Sequence, residues 1–215
     1  MAGANLVQAL LVSGALGMFF LAVLYLQRVL GFDALETGVA FLPVSLVIGV
    51  LSLGFSARLN MRFGARTVLV PGMALVALGL AWLTRAPVDG SYAVDVLPAM
   101  LLLGTGAGVS FPALMTLAMS GASETDAGLA SGLVNTTMQV GGALGIAVLA
   151  TLASGRTDSL HSSGAGAAEA LTGGYHLAFT VSAALVAVGA LVAATVLQRE
   201  GRAREDAGEA VLQTT

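Results

Sequence analysis

A stretch of twenty-five residues without a charged side chain, from Gly128 to Leu152, limits what this chain can fold into more than any other feature. At about 1.5 Å of rise per residue, a helix of this length crosses the roughly 30 Å hydrocarbon core of a bilayer. The whole chain of 215 residues is 57% hydrophobic and only 10% charged, which is too apolar for a soluble domain. We therefore predict an integral membrane protein of the all-α class.

The charge-free stretch has two different faces when it is read as a helix, in which residues three or four apart lie on the same side. One face is small and polar and contains Gly128, Gly132, Asn135, Gln139 and Gly142. The other face is apolar and contains Leu129, Leu133, Val140 and Leu144. Because a carboxamide in hydrocarbon leaves its donors and acceptors unpaired, Asn135 and Gln139 should face other helices or a water-filled cavity. Two interpretations stay open, helix-to-helix packing and the lining of a transport path.

Hydropathy predicts six membrane spans within one transmembrane domain over residues 1–197, followed by a polar tail over residues 198–215. The predicted spans cover residues 6–30, 37–57, 67–84, 96–119, 128–153 and 175–197. Polar side chains concentrate in the first, second, fourth and fifth spans, and the third and sixth are the most apolar. This pattern predicts two three-helix inverted repeats, with the third and sixth spans at the lipid edge.

The arginines predict how the chain is oriented in the membrane. An even number of spans puts both termini on one side, where six of the nine arginines lie, three between the second and third spans and three in the tail. The positive-inside rule then places both termini in the cytoplasm. The segment at 154–174 is rich in Gly, Ser and Ala, which predicts a mobile loop on the opposite side that contains His161.

Several function classes are excluded by residues that the sequence lacks or separates. Cysteine is absent, so disulfides, thiolate metal sites and cysteine nucleophiles are excluded. No predicted span contains Asp or Glu, and His161 and His176 are expected to be ordinary loop or interface residues. An intramembrane enzyme needs an acidic or Ser/His constellation at membrane depth. We therefore predict a protein that is not an enzyme, without a metal, a cofactor or a nucleic-acid partner.

Three tracts of the sequence resemble a known family. They are GLASGLVNTTMQVGGALG at residues 128–145, YLQ at residues 25–27 with Gly31 and Gly38 after it, and FLP at residues 41–43. They are similar to the C-terminal half of fourteen-span multidrug proton antiporters of the major facilitator superfamily. The resemblance implies two six-helix domains around a central cavity, of which this chain supplies the second. The abundance of Ala, Gly, Val and Arg is typical of a high-GC bacterium, so we expect the bacterial inner membrane.

The segment at 57–66 is similar to the short cytoplasmic loop motif of this superfamily, G-x-L-x-D-R-x-G-R-K. Leu59, Arg62, Gly64 and Arg66 match, whereas Ala57, Met61 and Ala65 replace the usual Gly, Asp and Arg. Without the acidic residue, the motif predicts a tight turn at Gly64 and arginines, Arg58 among them, at the lipid headgroups. Met138 is a further departure, since the family commonly has Arg in that tract.

The resemblance implies export of amphipathic organic compounds in exchange for protons, by alternating access. The residues predicted to line the substrate path are Asn135, Gln139, Thr105 and Ser110. The implied partners are the lipid bilayer, a small organic substrate, protons, and either the missing N-terminal half or a second copy. The alternative is a six-span protein that does not transport, that dimerises with itself, or that is a fragment without independent activity.

The topology can be tested with a reporter enzyme that is active only outside the cytoplasm. Fused after Gln213, it should be inactive, because the arginine asymmetry places this end in the cytoplasm. An active reporter at that position would contradict the predicted orientation.

Overall fold

The structure is a computed structural model that describes residues 2–120 and 126–197. The predicted polar tail at 198–215 lies outside the described residues, as does most of the segment between the fourth and fifth spans. Within the described residues, six helical segments are long and apolar enough to cross a membrane. They are Gly3–Arg28, Ala34–Phe63, Ala65–Leu83, Tyr92–Met119, Ala127–Ser162 and Ala167–Thr195.

Three of these segments are single α-helices, the fourth begins and the sixth ends with a π-helical turn, and the second is divided. The helices are α1 (Ala2–Arg28), α2 (Ala34–Ala40), α3 (Leu42–Val50), α4 (Ser56–Phe63), α5 (Ala65–Leu83), α6 (Leu97–Met119), α7 (Ala127–Ser162) and α8 (Ala167–Val192). Pro43 explains the break between α2 and α3, because its ring removes a backbone donor and clashes with the preceding turn. One π-helical turn, Leu51–Phe55, connects α3 to α4.

Local signals fix where the second span begins and ends. Asp33 Oδ1 accepts a hydrogen bond of 2.8 Å from the Glu36 amide, and Glu36 Oε2 accepts one of 2.9 Å from the Asp33 amide. This capping box starts α2. At the other end, Gly64 has φ +82°, a conformation that favours glycine, and it separates α4 from α5.

The packing of the helices repeats itself within the chain. The first helix of the first half, α1, packs against α7 and α8, and the first helix of the second half, α6, packs against α3 and α5. Each leading helix therefore contacts the second and third spans of the other half. This exchange confirms the predicted fold, six helices arranged as two three-helix repeats.

The third and sixth spans were predicted to lie at the lipid edge, and whether their outer faces contact lipid stays a prediction. In the structure α5 and α8 pack against each other and connect the two repeats. The second and fifth spans are the least buried, with 11% and 28% of the residues in their most apolar stretches buried. The apolar character of α5 and α8 thus reflects one packed face together with one exposed face, which includes Leu78 and Leu191.

The prediction of a mobile loop between the fifth and sixth spans was wrong. Helix α7 continues to Ser162, and α8 begins at Ala167, so only residues 163–166 connect them. Close packing explains the extra helix: a Cβ atom at Gly174 would lie 2.5 Å from the Ala153 carbonyl oxygen. Glycine lets the two helices approach, and their packing compensates for the weak helix propensity of the segment.

A close contact between the backbones of α1 and α7 also depends on glycine. A Cβ atom at Gly145 would lie 2.5 Å from Ser13 Cα, a distance that real Cβ atoms do not adopt. Next to this contact the Ser13 hydroxyl donates a 2.8 Å hydrogen bond to the Gly141 carbonyl oxygen. Small residues at the crossing thus allow a hydrogen bond between helices at membrane depth.

Substituting Gly145 with Ala should therefore destabilise the bundle by about 1–3 kcal/mol, because the added methyl group forces α1 and α7 apart. Gly132→Ala is the matched control, since no atom lies within 4 Å of the position of its Cβ. That variant should be as stable as the wild type or more so, because Ala favours helix. Thermal unfolding in detergent, followed by circular dichroism, measures both. Equal melting temperatures for the two variants would show that the close contact is absent.

Candidate substrate path

The two carboxamides of α7 face away from the rest of the described domain. Val134 is buried against α1, whereas Asn135 and Gln139 are exposed. Since successive residues of a helix are about 100° apart, these amides lie beside the packed face of α7, between that face and the apolar one. They are near the middle of the predicted span, so they need a partner that lipid does not supply.

The predicted small and polar stripe is split by the packing. Gly128 and Gly132 have no atom within 4 Å of a Cβ position and continue the exposed stripe of Asn135 and Gln139. Gly142 is buried instead, where a Cβ would meet the Leu16 side chain of α1. The exposed part of the stripe thus runs from Gly128 to Gln139.

The opposite side of α7 is exposed as well, but its chemistry differs. Its residues and exposed fractions are Leu129 (77%), Leu133 (49%), Val140 (52%) and Leu144 (59%). Hydrocarbon covers such a surface at no cost, whereas the amide stripe leaves polar atoms unpaired in lipid. The apolar face of α7 is therefore suited to lipid, whereas the amide stripe is suited to protein or water.

Thr105, which is predicted to line the path, lies on the less buried side of α6. Its hydroxyl donates a 2.7 Å hydrogen bond to the Leu101 carbonyl oxygen of its own helix. Thr116 is exposed and bonds back in the same way, 2.9 Å from the Pro112 carbonyl oxygen. The sequence analysis missed Thr116, although its spacing of eleven residues from Thr105 puts both on one side of the helix. Both hydroxyls offer an acceptor to a ligand.

Ser110, which is also predicted to line the path, does not lie on this exposed surface. It is completely buried, and a Cβ atom at Gly72 of α5 would collide with its hydroxyl oxygen. The reason is angular: residues five apart on a helix differ by about 140°, so Thr105 and Ser110 cannot share a side. Ser110 instead packs the contact between α5 and α6.

Gln8 is a further carboxamide near the α7 stripe that the predicted path did not include. Its side chain is only 3% exposed, and its Nε2 donates a 3.0 Å hydrogen bond to the Val134 carbonyl oxygen. Its Oε1 has no hydrogen-bond partner among the described residues. Gln8 therefore fixes α1 against α7 directly before Asn135 in the chain.

The loop motif has the geometry that its glycine predicts. Gly64 makes the turn between α4 and α5, and Arg58 and Arg62 are exposed on α4. Arg66 is partly buried in the first turn of α5. The Arg62 guanidinium carbon lies 5.4 Å from the ring centroid of Phe63. The side of the membrane on which this turn lies stays a prediction.

A loop at the opposite ends of α5 and α6 is tied to three other helices. The Tyr25 hydroxyl of α1 donates a 2.7 Å hydrogen bond to the Pro87 carbonyl oxygen, and His176 Nε2 of α8 lies 2.7 Å from the Ala86 carbonyl oxygen. The Tyr92 hydroxyl donates a 2.7 Å bond to the Ala40 carbonyl oxygen of α2. These bonds hold the helix ends together, and they give His176 the interface role that was expected.

Comparison with known proteins identifies the class to which this fold belongs. Residues 3–146 match the Major Facilitator Superfamily, so the chain belongs to this superfamily of multi-pass membrane proteins.

Three relatives have names that concern antibiotics. The chain is 39% identical over 198 residues to the puromycin resistance protein of Streptomyces alboniger, across 91% of this chain and 39% of that protein. It is 38% identical over 146 residues to the cephamycin export protein of Amycolatopsis lactamdurans, across 67% of this chain and 30% of that protein. It is 35% identical over 143 residues to the tetracenomycin C resistance and export protein of Streptomyces glaucescens, across 66% of this chain and 26% of that protein. The chain thus spans less than two fifths of the length of these relatives.

The surroundings of the α7 stripe can be tested with single cysteines, because the chain contains none of its own. Cysteines at Asn135 and Gln139 should react with a small membrane-impermeant thiol reagent in intact membranes, as the predicted water-filled cavity on this side of α7 requires. Cysteines at Leu133 and Leu144, which are predicted to face lipid, should stay unlabelled and serve as the control. Equal labelling at all four positions would remove the distinction between the two faces.

Proposed function

We propose that this chain forms one six-helix body of a secondary active transporter that exports amphipathic drugs or small organic metabolites. The observation that carries the proposal is the exposed stripe of Asn135 and Gln139 on an otherwise apolar span. A polar surface at membrane depth indicates a substrate or ion pathway. The names of the relatives, which concern resistance to antibiotics or their export, support an exported organic substrate and a role without enzymatic chemistry.

Alternating access needs a second body that moves against the first. The least buried spans of the described chain are the second and the fifth, so the second body would cover this side. The greater length of the relatives supports an N-terminal half as the partner. In this arrangement the amide stripe of α7 and the threonines of α6 face a cavity between the two bodies.

The wall contributed by this chain is uncharged. None of the six predicted spans contains Asp or Glu, so the polar groups available at membrane depth are carboxamides and hydroxyls. These groups bind a substrate by hydrogen bonds and do not carry protons. Under a proton-exchange mechanism, the titrating group therefore belongs to the second body, and this chain supplies recognition and half of the moving structure.

The proposed orientation follows from the arginines. Both termini and the turn at Gly64 lie on the cytoplasmic side of a bacterial inner membrane, and the loop tied by Tyr25 and His176 lies on the outer side. Substrate then enters between the bodies near the start of α7 and leaves near the end of α1.

A second candidate, a self-dimerising six-span protein, is favoured by one observation. Gly128 and Gly132 leave open space on the exposed stripe, into which a helix of a second copy could pack closely. In this arrangement the amides would form hydrogen bonds between copies. The exposed stripe would then be an interface and would not line a path.

Transport should require the second body. Everted membrane vesicles that contain only this chain should accumulate no fluorescent cationic dye when a proton gradient is applied. A chimera in which this chain replaces the matching 198 residues of the puromycin resistance protein should restore gradient-dependent accumulation. In the chimera, Gln139→Leu should lower the uptake rate roughly three- to tenfold, the usual effect of one lost hydrogen bond.

Leu144→Ala in the chimera is the control for helix packing, since Leu144 lies on the lipid side of α7, and it should leave the uptake rate unchanged. Gradient-dependent uptake by the chain alone, abolished by Gln139→Leu, would contradict the half-transporter proposal and favour a dimer of six-span chains. An active chimera that tolerates Gln139→Leu would remove Gln139 from the substrate path.

A further inference from the structure

A cleft of about 400 Å³ opens between the last two turns of α1 and the extended end of α7, with α8 beside it. It exists because α7 continues well beyond the predicted end of its span. Arg28, the last residue of α1, and Asp158 of α7 both line it and are both exposed. The cleft therefore has two opposite charges at one end.

The other end of the cleft is apolar. Phe20 and Leu24 of α1 line it together with Ala150 of α7. Phe20 precedes Arg28 by eight residues, so it lies about 12 Å nearer the membrane centre along the helix. Its side chain is 42% exposed, which leaves an aromatic surface open to a ligand. The cleft thus changes from charged to apolar along the membrane normal, as a lipid molecule does.

The two charges are available to a ligand. Arg28 and Asp158 form no ion pair with each other or with any other residue of the described chain, although both line one cleft. Two opposite charges at separate positions match a ligand that carries both an anionic and a cationic group. An Arg side chain binds phosphate with its planar fork of donors, and a carboxylate accepts hydrogen bonds from a primary ammonium group.

We propose that this cleft binds a phospholipid with a zwitterionic headgroup that ends in a primary ammonium, of the phosphatidylethanolamine class. The phosphate binds Arg28, the ammonium donates to Asp158, and an acyl chain lies along Phe20 and Leu24. Basic pockets between membrane helices bind lipid headgroups through the same electrostatics. The proposal needs only a membrane-embedded fold and stands whether or not the chain transports.

Native mass spectrometry of the full chain in detergent, titrated with single lipids, tests the site. Phosphatidylethanolamine should bind more tightly than phosphatidylcholine, which has the same two charges but no N–H on its ammonium, and more tightly than anionic phosphatidylglycerol. Asp158→Asn should abolish the preference for phosphatidylethanolamine over phosphatidylcholine. Arg28→Gln should weaken the binding of all three lipids about tenfold, the effect of losing a charge-assisted hydrogen bond.

Arg156→Gln and Glu169→Gln are the matched controls, because each removes the same charge outside the cleft and should leave lipid binding unchanged. Ala150→Phe is a second test that does not alter charge. The larger side chain fills the apolar end of the cleft and should weaken the binding of all three lipids. The proposal is overturned if the wild type binds the three lipids equally. It is also overturned if Arg28→Gln and Asp158→Asn bind them as the wild type does, or if the controls lose binding to the same extent.

Discussion

In a bilayer, every polar group within a span must find its partner inside the protein, and this constraint explains most of the structure. Gln8, Ser13 and Ser52 satisfy it by donating to backbone carbonyls of a neighbouring helix, Gln8 to Val134, Ser13 to Gly141, and Ser52 to Gly108 at 3.1 Å. Such bonds need helices that approach closely, and glycines provide that approach at the crossings of α1 with α7 and of α3 with α6. Polar residues and glycines therefore act together as the contacts between helices.

The amides of α7 differ from these side chains, because they do not pack within the described bundle. Gln8 uses its amide within the bundle, whereas Asn135 and Gln139, also at membrane depth, are exposed. The repeat arrangement explains why such a surface exists at all. Because each leading helix packs against the second and third spans of the other repeat, α5 and α8 meet in the middle. The second and fifth spans are left with the most exposed surface, and a second body would cover it.

The six spans and the repeats could be predicted from the sequence, because apolar length and the rarity of internal charge follow directly from the thickness of the bilayer. The ends of α7 and α8 could not, since the Gly- and Ser-rich segment between them has weak helix propensity and is stabilised by packing contacts such as that at Gly174. The exposed amides also followed from helical spacing. The burial of Ser110 did not, because spacing gives the angle between Thr105 and Ser110 but not which side of α6 meets α5. The hydrogen bonds from Tyr25 and His176 to the loop before α6 could not be predicted either. They join residues that are 62 and 90 positions apart, respectively, and no local pattern indicates such pairs.

The central claim is that the amide side of α7 faces protein or water, and that its leucine side faces lipid. The most direct measurement is the collision rate of molecular oxygen, which concentrates in hydrocarbon, with spin labels placed singly along residues 128–145 of this chain within the reconstituted chimera. We predict a rate that oscillates with the helical period, with lower values at Asn135 and Gln139 than at Leu129, Leu133, Val140 and Leu144. The highest rates at Asn135 and Gln139 would contradict it.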